Sequence, residues 1–131
     1  MILVDSSAWI EFLRDTGSPA CEAVDALISG DAALAVCDPV RMEVLAGARD
    51  EHHLRSLRGL LGRAELVDTR TEDYEAASQL YRQCRRGGGT VRRLIDCLIG
   101  AVAIRHGLPV LHADRDFEVL ATHAPLVRYR P

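Results

Sequence analysis

Apolar residues along this chain fall into short continuous runs, separated by longer stretches with helical spacing. "MILV" at the start, "ALAVC" at 33–37, "AELVD" at 64–68, "PVLH" at 109–112 and "LVRY" at 126–129 read as strands, and the continuous apolar run of "MILV" has the look of a strand buried on both faces. Between them the pattern predicts helices. "AWIEFLRD" sets Trp9, Phe12 and Leu13 at helical spacing, either as core or as a contact face. "SPACEAVDALISG" has Ser18 as a cap, Pro19 at its first position and Gly30 as a stop. "DPVRMEVLAGAR" opens on Asp38 as cap with Pro39 in its first turn, and "EHHLRSLRGLLGR" keeps Leu54, Leu57 and Leu61 on one stripe. "TEDYEAASQLYRQC" begins with a Thr71 cap and two acids where the helix dipole favours them. From Arg93 a nearly unbroken apolar helix follows, and a last helix begins after Asp116. Strands alternating with helices imply an α/β fold, a mostly parallel central sheet flanked by helices. No repeat or low-complexity tract divides the chain, so residues 1–131 are expected to form a single domain.

Composition narrows the classes. With 131 residues, 48% hydrophobic and 27% charged, the chain has the balance of a soluble globular domain able to bury a core. No apolar run approaches the ~20 residues of a membrane helix. Met1–Val4 runs straight into Asp5, without the basic-then-apolar plan of a signal peptide. A cytoplasmic protein with no membrane partner is expected. The four cysteines form no CxxC pair, which argues against zinc and fits free thiols in a reducing compartment. A net charge of −3 is not the footprint of a broad nucleic-acid-binding surface. All 16 basic residues are arginine, which removes every mechanism that needs a lysine and supplies bidentate partners for phosphate or carboxylate.

The chemistry lies in the acids. In open α/β sheets the binding crevice lies beyond the carboxyl ends of the strands. Asp5 directly follows "MILV", and Asp114 and Asp116 follow "PVLH". Each also reads as a helix cap. Glu43 has Pro39, Val40, Ala46 and Gly47 at helical neighbour positions, a face turned to protein unless its side chain reaches out to solvent. Asp96 opens the most apolar helix of the chain, as a metal ligand, a dipole partner, or the partner of Arg92 or Arg93. Such acids brought together repel, and some protonate unless a cation is present. Oxygen-only ligands select a hard ion, Mg²⁺ or Mn²⁺.

Taken in order, "ILVDSSAWIEFL", "RMEVLAG" and "LIDCLIGAVAIRHGLPVLHADRDF" resemble the acidic motifs of the PIN domain, specifically of the VapC ribonuclease toxins of bacterial toxin–antitoxin pairs. The resemblance covers essentially the whole chain and implies a PIN-like three-layer sandwich. It implies a catalytic set of Asp5, Glu43, Asp96, Asp114 and Asp116, with Asp5, Asp96 and Asp114 on a Mg²⁺ or Mn²⁺ ion. Ser7 matches the family's small hydroxyl residue near the metal. His112 departs from the pattern, where relatives often carry Ser or Thr, and is read as a strand residue.

The implied activity is metal-dependent endoribonuclease cleavage of a tRNA or rRNA, independent of the 2′-hydroxyl, with a cognate antitoxin occupying the groove and a homodimer as the assembly. Arg82, Arg85, Arg86, Arg92 and Arg93 around "GGG" are candidate RNA contacts, Arg92 and Arg93 as substrate-positioning residues, or else a solvated loop. Aromatic content of 5% leaves shape and phosphate contacts to dominate recognition. A phospho-receiver domain shares the strand-end aspartates but needs a lysine and an acidic pair after the first strand. A non-catalytic PIN-like module binding RNA or protein is the other alternative, and an activity assay separates the two.

Overall fold

The sheet is built from the apolar runs. In a computed structural model that describes residues 1–131, β1 (Ile2–Val4), β2 (Leu34–Val36), β3 (Glu65–Leu66) and β4 (Val110–Leu111) pair in parallel in the order β3–β2–β1–β4. The two central strands are continuous apolar runs because both of their faces are covered: Leu3, Val4, Ala35 and Val36 are all buried. The expected fifth strand, "LVRY", is reduced to one parallel bridge between Arg128 and Val110. Its neighbour β4 offers only two residues, so no longer ladder can form.

Seven helices fill the crossovers: α1 (Ser6–Leu13), α2 (Pro19–Ser29), α3 (Asp38–Ala46), α4 (Glu51–Leu61), α5 (Thr71–Arg86), α6 (Leu94–His106) and α7 (Arg115–His123). The connections β1–β2 and β2–β3 step one way across the sheet, and β3–β4 steps back over both. Right-handed crossovers therefore put α1–α4 and α5–α6 on opposite faces, the three-layer PIN-like sandwich. Helix α6 is apolar all round and is buried without a break from Asp96 to Ala103. Gly107, in the left-handed region at φ +66°, ends it and turns the chain into β4.

Ser18 caps α2 as expected, accepting the Cys21 N–H at 3.1 Å. Three helix starts differ from the sequence reading: α7 begins at Arg115, before Asp116 and not after it, and two others move by one residue. Cys37 takes the cap position of α3, with Asp38 and Pro39 inside the first turn. For α5 the cap is Arg70 in place of Thr71, because Asp73 reaches back to the Arg70 N–H at 2.8 Å. Trp9 is fully buried and Phe12 packs partly against the core, edge to face with Trp9 at 6.4 Å between ring centroids. Trp9 therefore belongs to the core and offers no contact face.

Candidate active site

The register that sets Val4 opposite Leu111 delivers Asp5 and the segment after β4 to the same edge of the sheet. Strand order reverses at this point, with β1 leading to β2 on one side and β4 lying on the other. A crevice at such a reversal is where open α/β sheets place ligands.

Asp5 caps α1. Its Oδ2 accepts the Ser7 backbone N–H at 3.0 Å and the Ser7 hydroxyl at 2.6 Å. The Ser7 oxygen in turn accepts the Ala113 N–H at 2.9 Å, so one side chain ties the end of β1 to the loop after β4. Capping uses only half of the carboxylate. Asp5 Oδ1 is buried and has no hydrogen-bond partner, and burial raises the carboxyl's pKa despite the Ser7 contacts, with Asp114 adding to the rise.

Asp96 sits in the first turn of α6, where the helix dipole favours negative charge. Its Oδ2 is likewise buried and unpartnered. Burial above all, then Asp116, Asp5 and Asp114, push its carboxyl up to about 8. Asp116 accepts the Arg92 and Arg93 N–H groups, each at 3.0 Å, which ties α7 to the start of α6. Burial works to raise the Asp116 pKa, but the adjoining Asp96 carboxyl and the Arg92 and Arg93 N–H groups hold it below the usual carboxylate range. Asp114 caps α7 through the Asp116 N–H at 2.9 Å. Glu43, from α3, takes the Ser6 hydroxyl at 2.7 Å on Oε1 and pairs with Arg93 through Oε2.

The fold thus brings the five predicted acids together as two sets that share Asp96. In each of Asp5–Glu43–Asp96 and Asp96–Asp114–Asp116, one ligand atom per residue lies within 4.8 Å of the others. Arg93 and Arg92 do not pair with Asp96. Arg93 holds Glu43, and Arg92 reaches Asp114 at 3.2 Å and Asp116 at 3.5 Å. Ser6 escaped the sequence reading. The signal was the second hydroxyl of "DSS", of which Ser7 faces Asp5 and Ser6 faces Glu43.

Two other expectations resolve differently. Two glycines of Gly87–Gly89 pack against α7, while Gly88 between them is exposed, with nothing within 4 Å of a Cβ there. A Cβ on Gly87 would lie 2.5 Å from His123 Nδ1, and one on Gly89 2.8 Å from Val119 Cγ1. His112 borders the acid pocket but belongs to neither set of acids. Its Nδ1 accepts the Asp114 N–H at 3.2 Å, its ring lies 5.2 Å from Phe117, and burial lowers its pKa, so it acts as a neutral brace for the turn. The cysteines are buried free thiols, and burial holds Cys37 and Cys97 up at about 12.

The sequence model of the PIN domain matches residues 2–122. Ribonuclease VapC11 of Mycobacterium tuberculosis is 47% identical over 123 residues, covering 92% of each chain. The chain belongs to the PIN-domain family, in its VapC branch.

Solved VapC-type structures share the fold at low identity. M. tuberculosis VapC20, a sarcin–ricin-loop-cleaving toxin, aligns with a TM-score of 0.71 at 17% identity over 100% of both chains. The DNA-bound VapBC of Salmonella typhimurium aligns at 0.73 and 23%, covering 99% of this chain and 98% of that one. The PIN sheet here is thus a shared frame, and its acidic edge is where this VapC-family chain concentrates buried charge.

The donor set of that edge is all oxygen, and two of its buried oxygens lack any partner. A hard divalent ion satisfies both conditions, whereas the buried, dispersed cysteines leave nothing for a soft metal.

Proposed function

We propose that this chain is a Mg²⁺- or Mn²⁺-dependent endoribonuclease acting as the toxin of a toxin–antitoxin pair. One observation carries the reading: Asp5 Oδ1 and Asp96 Oδ2 are buried, unpartnered and set among further carboxylates. Orphaned carboxylate oxygens are costly unless a cation completes them. Asp5 and Asp96 would hold the ion, with Asp114 beside them. When bound, it would polarise a phosphodiester and ease deprotonation of an attacking water.

The chain's own residues do the rest. Ser7 and the α1 N-terminus hold Asp5 in one orientation. Ser6 and Arg93 hold Glu43 with both oxygens directed, ready to orient a water or accept its proton. Asp116, fixed by two backbone N–H groups, sets the position of Asp96. Arg92 and Arg93 neutralise the acids of the free protein, and a phosphate entering the groove offers both guanidinium groups a stronger bidentate partner. The relative named Ribonuclease VapC11 supports RNA as substrate, and tRNA or rRNA is the class proposed. The VapBC assembly among the structural neighbours supports a protein antitoxin as partner.

A homodimer is proposed across the face of α3, α5 and α6. There Met42, Tyr74 and Leu94 stand exposed around a cavity of about 500 Å³ floored by Ala77 and Leu98. Met42→Glu with Leu94→Glu is expected to give a monomer by sedimentation. No helix is long and apolar enough to cross a membrane, and the cytoplasm, where the RNA substrate lies, is the compartment proposed.

The deciding experiment incubates labelled tRNA and rRNA fragments with the protein in Mg²⁺ or Mn²⁺ and in chelator, beside Asp96→Asn. Metal-dependent cleavage lost in the folded variant is expected. Equal cleavage by both proteins, or none by either, overturns the nuclease reading, and the second outcome favours a binding module.

A further inference from the structure

Glu43, the outermost acid of the cluster, lines a groove that runs on past it. A cavity of about 380 Å³ is bordered by Ser6, Ser7, Glu43 and Arg93. A second, of about 360 Å³, continues from it, since Ile10 and Glu43 line both. The rim of this second cavity carries Arg14 from the end of α1, Arg49 from the α3–α4 loop and His53 from the first turn of α4, above a floor that includes Val44 and Leu57.

These arginines differ from those at the acids. Arg92 and Arg93 are engaged with carboxylates, whereas Arg14 and Arg49 are exposed and take part in no ion pair. The loop that carries Arg49 is pinned. His53 Nδ1 accepts the Arg49 backbone N–H at 3.1 Å, and Asp50 Oδ1 accepts the His53 N–H at 2.7 Å. With Nδ1 accepting, the imidazole carries its proton on Nε2 and offers a third donor.

We infer that Arg14 and Arg49, with His53 of α4, are positioning residues that hold the sugar–phosphate backbone of a single-stranded RNA segment on one side of the scissile bond. The inference rests on the nuclease reading and adds where the strand runs. A chain of net charge −3 with an acidic pocket must attract a polyanion through local positive charge. The groove supplies it in the required order: Glu43 and Arg93 beside the acid cluster at one end, unpaired guanidinium groups at the other, and the apolar Ile10 shared by both cavities between them. Arg82, Arg85 and Arg86 line neither cavity, and Arg85 stacks over Tyr81 at 5.8 Å.

The test compares Arg14→Ala/Arg49→Ala with Arg55→Ala/Arg58→Ala, which removes the same charge from α4 outside the groove. Cleavage of a fluorescent RNA fragment is followed in Mn²⁺, with melting temperature as a folding check. The groove variant is expected to raise KM roughly tenfold, as for loss of one to two charge-assisted contacts. Its kcat should change by less than about twofold, because uniform binding is what is removed.

Binding of a short labelled oligoribonucleotide is measured by anisotropy in chelator on the Asp96→Asn background. There the dependence of log affinity on log salt should weaken by about 1.4, or ~0.7 for each lost phosphate contact. An unchanged KM and salt slope, or an equal loss in the α4 control, overturns the inference and leaves the groove to a protein partner. Wild-type protein that shows this arginine-dependent binding yet never cleaves supports the groove and overturns the nuclease reading instead.

Discussion

The two ends of helix α6 carry the two densest charge clusters of the molecule, and they are built on opposite principles. At the C-terminal end Arg105 donates to both oxygens of Asp73, each at 2.8 Å, and to Asp68 Oδ1 at 3.1 Å. His106 completes it, with its Nε2 2.9 Å from the Asp68 carbonyl oxygen. Asp73 is buried but satisfied, and the Arg105 guanidinium holds its carboxyl below the usual range. At the N-terminal end Asp96 is just as buried, faces other carboxylates, and keeps one oxygen with no partner. The first cluster is complete as folded and clamps α6 to α5 and to the segment after β3. The second is incomplete without a cation, and incompleteness maintained at a cost to stability marks a functional site.

Substitution should separate the two ends most sharply through activity. Asp96→Asn is expected to lower metal-dependent RNA cleavage by about 10³-fold, several kcal/mol of transition-state stabilisation. The same change should raise the melting temperature of the metal-free protein above pH 8 and abolish the further rise that Mn²⁺ gives the wild type. A wild type whose melting temperature ignores Mn²⁺ would remove the contrast.

Arg105→Ala should do the reverse. It strands Asp73 and is expected to cost about 3 kcal/mol in urea unfolding, the order for breaking a buried pair from one side. Cleavage per folded molecule should be unchanged, because nothing at that end reaches the groove. A loss of kcat without loss of stability would show that the clamp is part of the machinery.

The pH dependence of stability should carry opposite signs at the two ends. The folded pKa of Asp96, about 8, lies above the ordinary 3.8. Its contribution in metal-free protein is therefore fully present below pH 3.8 and is lost as pH rises through about 8. The folded pKa of Asp73 is depressed, so its contribution is present above 3.8 and is lost as pH falls through the lower folded value. Urea titrations of Asp96→Asn and Asp73→Asn from acid to pH 9 should each flatten one limb. The smallest effect expected is that of Ser6→Ala, which frees Glu43 from one hydrogen bond. Cleavage should slow by roughly fivefold, on the order of 1 kcal/mol, with melting little changed.

Much of this contrast was legible in the residues. The apolar runs placed β1, β2, β3 and β4, and an Asp directly after "MILV" or shortly after "PVLH" lies at a strand's carboxyl end whatever the helices do. The all-round apolar pattern of α6 announced its burial, and with it the cost of Asp96. The fifth strand was not legible, because an apolar run does not say whether its neighbour is long enough to pair with. The cap of α5 moved from Thr71 to Arg70 because Asp73 is oriented by Arg105, a contact 32 positions away. "GGG" read as flexible, yet its glycines permit close approach of α7, which spacing cannot reveal. The same holds for Arg92 and Arg93, whose nearest acid in sequence, Asp96, is not the one they hold.

The sequence by itself determined the parallel α/β frame, the burial of α6 and the set of acids at the sheet's carboxyl edge. Local pattern and strand direction suffice for these. Only the tertiary structure decided which carboxylate oxygens are satisfied and which are stranded, and which arginines are engaged and which face the groove. Those outcomes depend on contacts between residues 22 to 106 positions apart, such as Arg92 with Asp114, Arg93 with Glu43 and Ser7 with Ala113. A carboxylate's pKa, and so its chemistry, is set by what surrounds it in space.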